Sequence, residues 1–188
     1  MAVTAMLRDG ERNATAEDSR GRFAGVRRQV FALASLYDHL LGAGLSGDGA
    51  NLRHYLAALC NGARDFHDLP ARGIDLALEA DGGEVVLSLD ACTALGIVVN
   101  ELVANAVEHA FGVAGGGRIV VRFGPDGCGG SELSVEDDGV GVPLGAESSS
   151  VGLGVARRLI ERTGGSLSLR SEPGRTIWTI ALPGTAER

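Results

Sequence analysis

At 188 residues the chain is long enough to bury a core, and one domain with an appendage is the natural expectation. A formal net charge of −7 argues against nucleic acid or an anionic membrane as partner, and three scattered cysteines (Cys60, Cys92, Cys128) give little support to a disulfide framework or a zinc site. No apolar run approaches the ~20 residues of a bilayer span, and the first residues lack the basic flank and apolar core of a signal peptide. The expectation is a cytoplasmic chain without a membrane segment.

Residues 1–14 are small, polar and unpatterned, and are expected to be disordered. From about Thr15 to Leu41 the pattern is helical. Phe23, Val26, Val30, Leu33, Tyr37 and Leu40 step by three and four, a heptad seam that Phe31, Ala34 and Leu41 widen. The seam can pack on its own domain or on a partner. Glycines 42, 44, 47 and 49 end it. A second helix is expected over about Asn51 to Phe66, with Leu52, Tyr55, Leu56 and Leu59 on one side.

Pro70 then breaks helix. Ile74, Leu76 and Leu78 alternate with Asp75, Ala77 and Glu79, as in a half-buried strand. Asp81-Gly82-Gly83 turns the chain into a second short strand, Glu84 to Ser88. A long helix runs from about Asp90 to Phe111, with Leu95, Val99, Leu102, Val103, Ala106 and Ala110 on one apolar arc. On its far side Glu101, Asn105, Glu108 and His109 crowd together. Strands are expected at Arg118 to Phe123 and Glu132 to Asp137, then a helix at about Val151 to Thr163. Strands Ser166 to Ser171 and Thr176 to Leu182 close the chain across an Glu-Pro-Gly-Arg turn. This interleaving, without a regular βαβ repeat, predicts an α/β fold: a two-layer sandwich of a mixed sheet with helices on one face.

Four motifs carry chemistry. Glu101 and Asn105 stand one helical turn apart. The amide oxygen can hold a hard cation such as Mg2+, and the carboxylate can take a proton or orient a nucleophile. In Val135-Glu136-Asp137-Asp138-Gly139-Val140-Gly141 an acidic pair ends a strand. An aspartate there can accept from an exocyclic amine, and the glycines let backbone approach a flat ring or a phosphate. Ser148 to Gly154 opens a helix, whose N–H groups suit phosphates. Gly174-Arg175-Thr176 lies in the last hairpin. Each motif is common alone; their order and spacing are not.

Taken together they resemble the ATP-binding catalytic domain of sensor histidine kinases, within the superfamily shared with gyrase, Hsp90 and MutL (the Bergerat fold). Asn100-Glu101-Leu102-Val103-Ala104-Asn105-Ala106 resembles the N box. Asp137 to Gly141 resembles the first glycine box, Gly152-Leu153-Gly154 the second, and Gly174-Arg175-Thr176 the closing Gly-x-Thr. The likeness covers about residues 72–183. Only about ten residues separate Gly141 from Gly152, which resembles the short-lid group with Asn-Glu-Leu-x-x-Asn-Ala-x-x-His-Ala-Phe.

The resemblance implies ATP and Mg2+ as cofactors. Asn105 would coordinate Mg2+, and Glu101 would act beside the γ-phosphate as base or orienting group. Asp137 would receive the adenine amine, supported by Thr176 through a water. Gly139 and Gly141 would shape the adenine pocket, Gly152, Leu153 and Gly154 would hold phosphates, and His109 would lie against the ribose or base. It also implies a domain at residues 71–184, preceded at 15–70 by part of a dimerisation and linker segment. A homodimer and a response-regulator receiver domain follow as partners.

Two departures stand out. Glu108 occupies a place where the family usually has Lys or Arg, at a cost on the order of 1 kcal/mol for a solvated site. The four histidines, His39, His54, His67 and His109, all lack the family's phosphoacceptor context. Two alternatives follow: a catalytically degenerate adaptor or phosphotransfer scaffold, and an anti-sigma serine kinase on the same fold.

Overall fold

The computed structural model describes residues 49–81, 85–112, 115–142 and 151–183. The expected disordered segment 1–14, the heptad segment and Ser148–Ser150 lie outside the described residues. In chain order the elements are β1 (Gly49–Asn51), α1 (Leu52–Phe66), β2 (Ile74–Ala80), β3 (Val86–Ser88), α2 (Leu89–Asn105), β4 (Gly117–Pro125), β5 (Ser131–Asp137), α3 (Val151–Arg162), β6 (Ser166–Glu172) and β7 (Arg175–Leu182). A π-helical turn, Ala106–Ala110, continues α2.

Local chemistry sets the helix starts. Asn51 caps α1 by accepting from the His54 N–H at 3.1 Å, and Ser88 caps α2 by accepting from the Ala91 N–H at 3.3 Å. The apolar side of α1 is driven inward: Leu52, Tyr55, Leu56 and Leu59 are all fully buried. Each such side chain gains about 1.5–3 kcal/mol on leaving water.

The main sheet has the order β2-β4-β5-β7-β6. The β2–β4 pair is parallel, with α2 in its crossover, and the other pairs are antiparallel. The mixed sheet expected from the sequence is therefore present. Alternation divides its faces. Ile119, Val121 and Phe123 of β4 and Leu133 and Val135 of β5 face the core with the helices. Arg118, Arg122, Glu79, Glu136 and Arg175 line the opposite face in a ladder of ion pairs.

Two expectations need correction. The strand after Asp81 does not fold back on β2. Val86–Ser88 pairs antiparallel with β1 instead, while Asp81 extends the β2–β4 ladder by donating to the Phe123 carbonyl at 2.8 Å. The long helix is not amphipathic with a wet far side, because α1, α3 and the sheet surround it and bury Asn100, Glu101 and Ala104 as well. The helical stretch Leu89–Ala110 has the length and apolar composition of a membrane span. Most of it is buried inside the domain, as a core helix is.

The division drawn at residue 70 falls between α1 and β2. Their side chains belong to one hydrophobic cluster with α2, α3 and the sheet. Cys60 and Cys92 lie in that cluster, where burial pushes their thiols up to about 12 and about 11. Both remain protonated and weakly nucleophilic at neutral pH.

Candidate functional site

The site is built where α2, β5 and the β6–β7 hairpin meet the loop 139–142. Asp137 ends β5 pointing into the core and is buried, whereas Asp138 points away and accepts from the Arg118 N–H at 2.7 Å. Of the acidic run, only Asp137 is therefore inside. Its Oδ1 accepts from the Gly139 N–H at 3.1 Å. Its register partner on β7 is Thr176, whose hydroxyl favours the ionised carboxylate. Cross-strand pairing sets the two side chains side by side.

Burial pushes the Asp137 carboxyl above its ordinary range, with smaller upward pushes from Asp138 and Glu136; the bonds from Gly139 and Thr176 oppose this. Such a carboxylate gains from any further donor, an amine included.

The glycine loop is clamped on both sides. Val140 N–H donates to the Ala110 carbonyl at 3.0 Å, fastening the loop to the end of the π-helical turn. Gly174 N–H donates to the Gly139 carbonyl at 3.0 Å, and Val142 N–H to Ser171 Oγ at 2.8 Å, fastening it to the β6–β7 hairpin. The approach is too close for side chains. A Cβ at Gly139 would stand 2.4 Å from the Ala110 Cβ. Gly141 has φ +85, and a Cβ there would stand 2.9 Å from the Glu172 carbonyl oxygen.

The remaining expected residues are distributed as follows. Glu101 is buried on α2, one turn before Asn105. Asn105 ends α2 half-buried, and its Nδ2 is buried with no hydrogen-bond partner among the described residues. Glu108 and His109 both lie exposed on the π-helical turn. Such turns widen a helix and recur at functional sites. Gly152, Leu153 and Gly154 form the first turn of α3, where Leu153 packs against the core and the space beside Gly154 is open apart from Arg158. Among the described residues no group of three His, Cys, Asp or Glu side chains could hold a metal ion.

Two features escaped the sequence reading. Ser171 bonds both Val142 and Thr176, and Arg72 reaches from the α1–β2 loop to donate to the Val107 carbonyl at 2.9 Å. For Ser171 a signal existed. A two-residue Pro173-Gly174 turn pairs Glu172 with Arg175, and hence Ser171 with Thr176.

Comparison with known proteins gives the same direction. The family described as histidine kinase-, DNA gyrase B-, and HSP90-like ATPase matches residues 90–186. The chain is 26% identical over 166 residues to Blue-light-activated histidine kinase 2 of Erythrobacter litoralis, covering 86% of this chain and 47% of that protein. It is 34% identical over 174 residues to sensor histidine kinase PdtaS of Mycobacterium tuberculosis, covering 89% of this chain and 33% of that protein. The chain thus spans from a third to about half of these relatives' length. The solved histidine kinase domain of the Erythrobacter litoralis EL346 blue-light activated histidine kinase superposes with a TM-score of 0.73 at 25% identity, covering 85% of this chain and 74% of that one.

Proposed function

The chain belongs to the histidine kinase-, DNA gyrase B- and HSP90-like ATPase family, and from that premise we propose that it is the ATP-binding catalytic domain of a sensor histidine kinase of the short-lid group. In this reading the γ-phosphoryl of ATP passes to a histidine nitrogen, and from there to an aspartate on a response-regulator receiver domain. The protein works as a cytoplasmic homodimer joined through its N-terminal segment.

The observation that carries the reading is the single glycine loop tied at once to the end of the Asn105 helix and to the Asp137–Thr176 pair. The residues fit a purine nucleotide. Asp137 keeps acceptor capacity after its bonds from Gly139 and Thr176, and the buried Asn105 Nδ2 lacks a partner among the described residues. Asp137 would accept the adenine amine. Gly139 and Gly141 would offer the ring a close backbone wall, and His109 would flank ribose or base. The first turn of α3, at Gly152, Leu153 and Gly154, would aim N–H groups at phosphates. Asn105 would hold Mg2+ through its oxygen, and that ion would neutralise charge on the transferring phosphoryl group. Glu101 would accept a proton from, or orient, the attacking histidine.

A second reading, a catalytically silent adaptor, is favoured by one observation: the exposed carboxylate Glu108, which repels a triphosphate. One experiment decides among the readings. The chain is incubated with γ-radiolabelled ATP, Mg2+ and a separately produced histidine-bearing dimerisation domain. Acid-labile label on that domain is the expected result. Acid-stable label would place the chain with serine kinases, and binding of ATP without any transfer would leave the adaptor.

A further inference from the structure

Four groups stand in series beneath the glycine loop. The Val142 N–H donates to Ser171 Oγ at 2.8 Å, Ser171 Oγ and Thr176 Oγ1 stand 3.4 Å apart, and Thr176 faces Asp137 across the strand pair, where its hydroxyl favours the ionised carboxylate. The donor inventory orders them. A backbone N–H only donates and an ionised carboxylate only accepts. Thr176 has one proton; given to its register partner Asp137, it leaves Thr176 to accept from Ser171. Ser171 in turn accepts from Val142 and gives its own proton to Thr176. The direction runs one way, from the loop to the carboxylate.

We propose that Ser171 is a positioning residue that sets base specificity: it locks the Thr176 proton onto Asp137 and ties the glycine loop to the same carboxylate. This rests on the ATP reading above and deepens it. With the chain intact, a base entering beside Asp137 meets acceptors, so an exocyclic amine binds and a ring carbonyl is repelled. Without Ser171, the Thr176 hydroxyl is free to rotate and to offer its proton to such a carbonyl. The Val142 N–H is left without its acceptor, and the loop loses one of its clamps. Bonds in series also strengthen one another, so the loss reaches Asp137 two links away.

The test compares ADP with inosine diphosphate, which carries a carbonyl where adenine carries the amine. Affinities for both are measured by calorimetry on the full chain and on Ser171→Ala and Ser171→Thr. The ADP preference is expected to fall about tenfold in Ser171→Ala, the size of one lost hydrogen bond, and to return in Ser171→Thr. In ligand-free protein, amide exchange at Val142 is expected to quicken about tenfold in Ser171→Ala only. Should the alanine variant fail to fold, Ser171→Cys keeps the volume with a weak donor and reads the same preference. An unchanged preference, even with both affinities lowered, would overturn the proposal, because a merely structural role weakens both nucleotides alike. Unchanged Val142 exchange would overturn it too. If the wild-type chain binds neither nucleotide, the ATP reading itself fails, a result distinct from binding with an unaltered preference.

Discussion

Glu136 and Asp137 leave β5 on opposite faces of the sheet, and the same chemical group meets opposite surroundings. Around Glu136, burial pushes the carboxyl up, but hydrogen bonds from Arg175 and Arg122 outweigh it and hold the group below its ordinary range. Its contribution to stability is therefore present above the unfolded value, about 4.3, and is lost as pH falls through the folded one. Glu136→Gln is expected to cost about 1 kcal/mol at neutral pH by urea unfolding, with the difference vanishing near pH 3. A constant difference across pH would contradict the ion-pair origin. Asp137 carries the reverse sign. Burial raises its carboxyl, so the folded state favours the proton, and stability is lost as pH rises from the ordinary Asp value through the folded one. Asp137→Asn should then raise the melting temperature at neutral pH by a few degrees, while ADP affinity falls about a hundredfold. A variant that is less stable, or that binds ADP unchanged, would refute that account.

At the level of elements, α2 carries an interior glycine that costs about 1 kcal/mol in helix propensity against alanine. Its reason lies on α1. A Cβ at Gly96 would stand 1.7 Å from the Tyr55 hydroxyl oxygen, and both residues are fully enclosed. Gly96→Ala is expected to destabilise by about 2–3 kcal/mol through overpacking, and Tyr55→Phe to recover part of that loss in the double variant. Additive effects in the double-mutant cycle would contradict the contact. The periodicity of α1 and α2 was legible, since Leu52, Tyr55, Leu56 and Leu59 and the arc from Leu95 to Ala110 are all inside. The burial of Glu101 was not legible, because a lone helix pattern cannot register which elements pack around it. The three-residue β1 carries too little alternation to be read, and its pairing with β3, a strand the sequence did suggest, spans the whole of α1 and β2. Likewise the π-helical turn leaves no mark in the apolar pattern.

For the molecule as a whole, the motifs found in order along the chain resolve into two supports and one loop. Asp137 and Thr176 face each other because β5 and β7 are adjacent, although they lie far apart in sequence. The glycine loop between them and α2 is held by backbone bonds at Val140 and Gly174 and by the bond from the Val142 N–H to the Ser171 hydroxyl. Motif order anticipated this neighbourhood; the Ser171–Thr176 pairing was implicit in the Pro173-Gly174 turn, and the bond from Val142 emerged only from the structure. The N-terminal heptad segment lies outside the described residues, and α1, which follows it in sequence, packs into the domain core. The proposed function puts Asn105 and Asp137 in one Mg2+–nucleotide site. It is tested most directly by calorimetric titration of ADP, with and without Mg2+, into this chain and into Asn105→Ala and Asp137→Ala. The account predicts Mg2+-dependent binding on the order of micromolar, lost in both variants. Binding that both variants retain, or no binding by the parent chain at millimolar ADP, would contradict it.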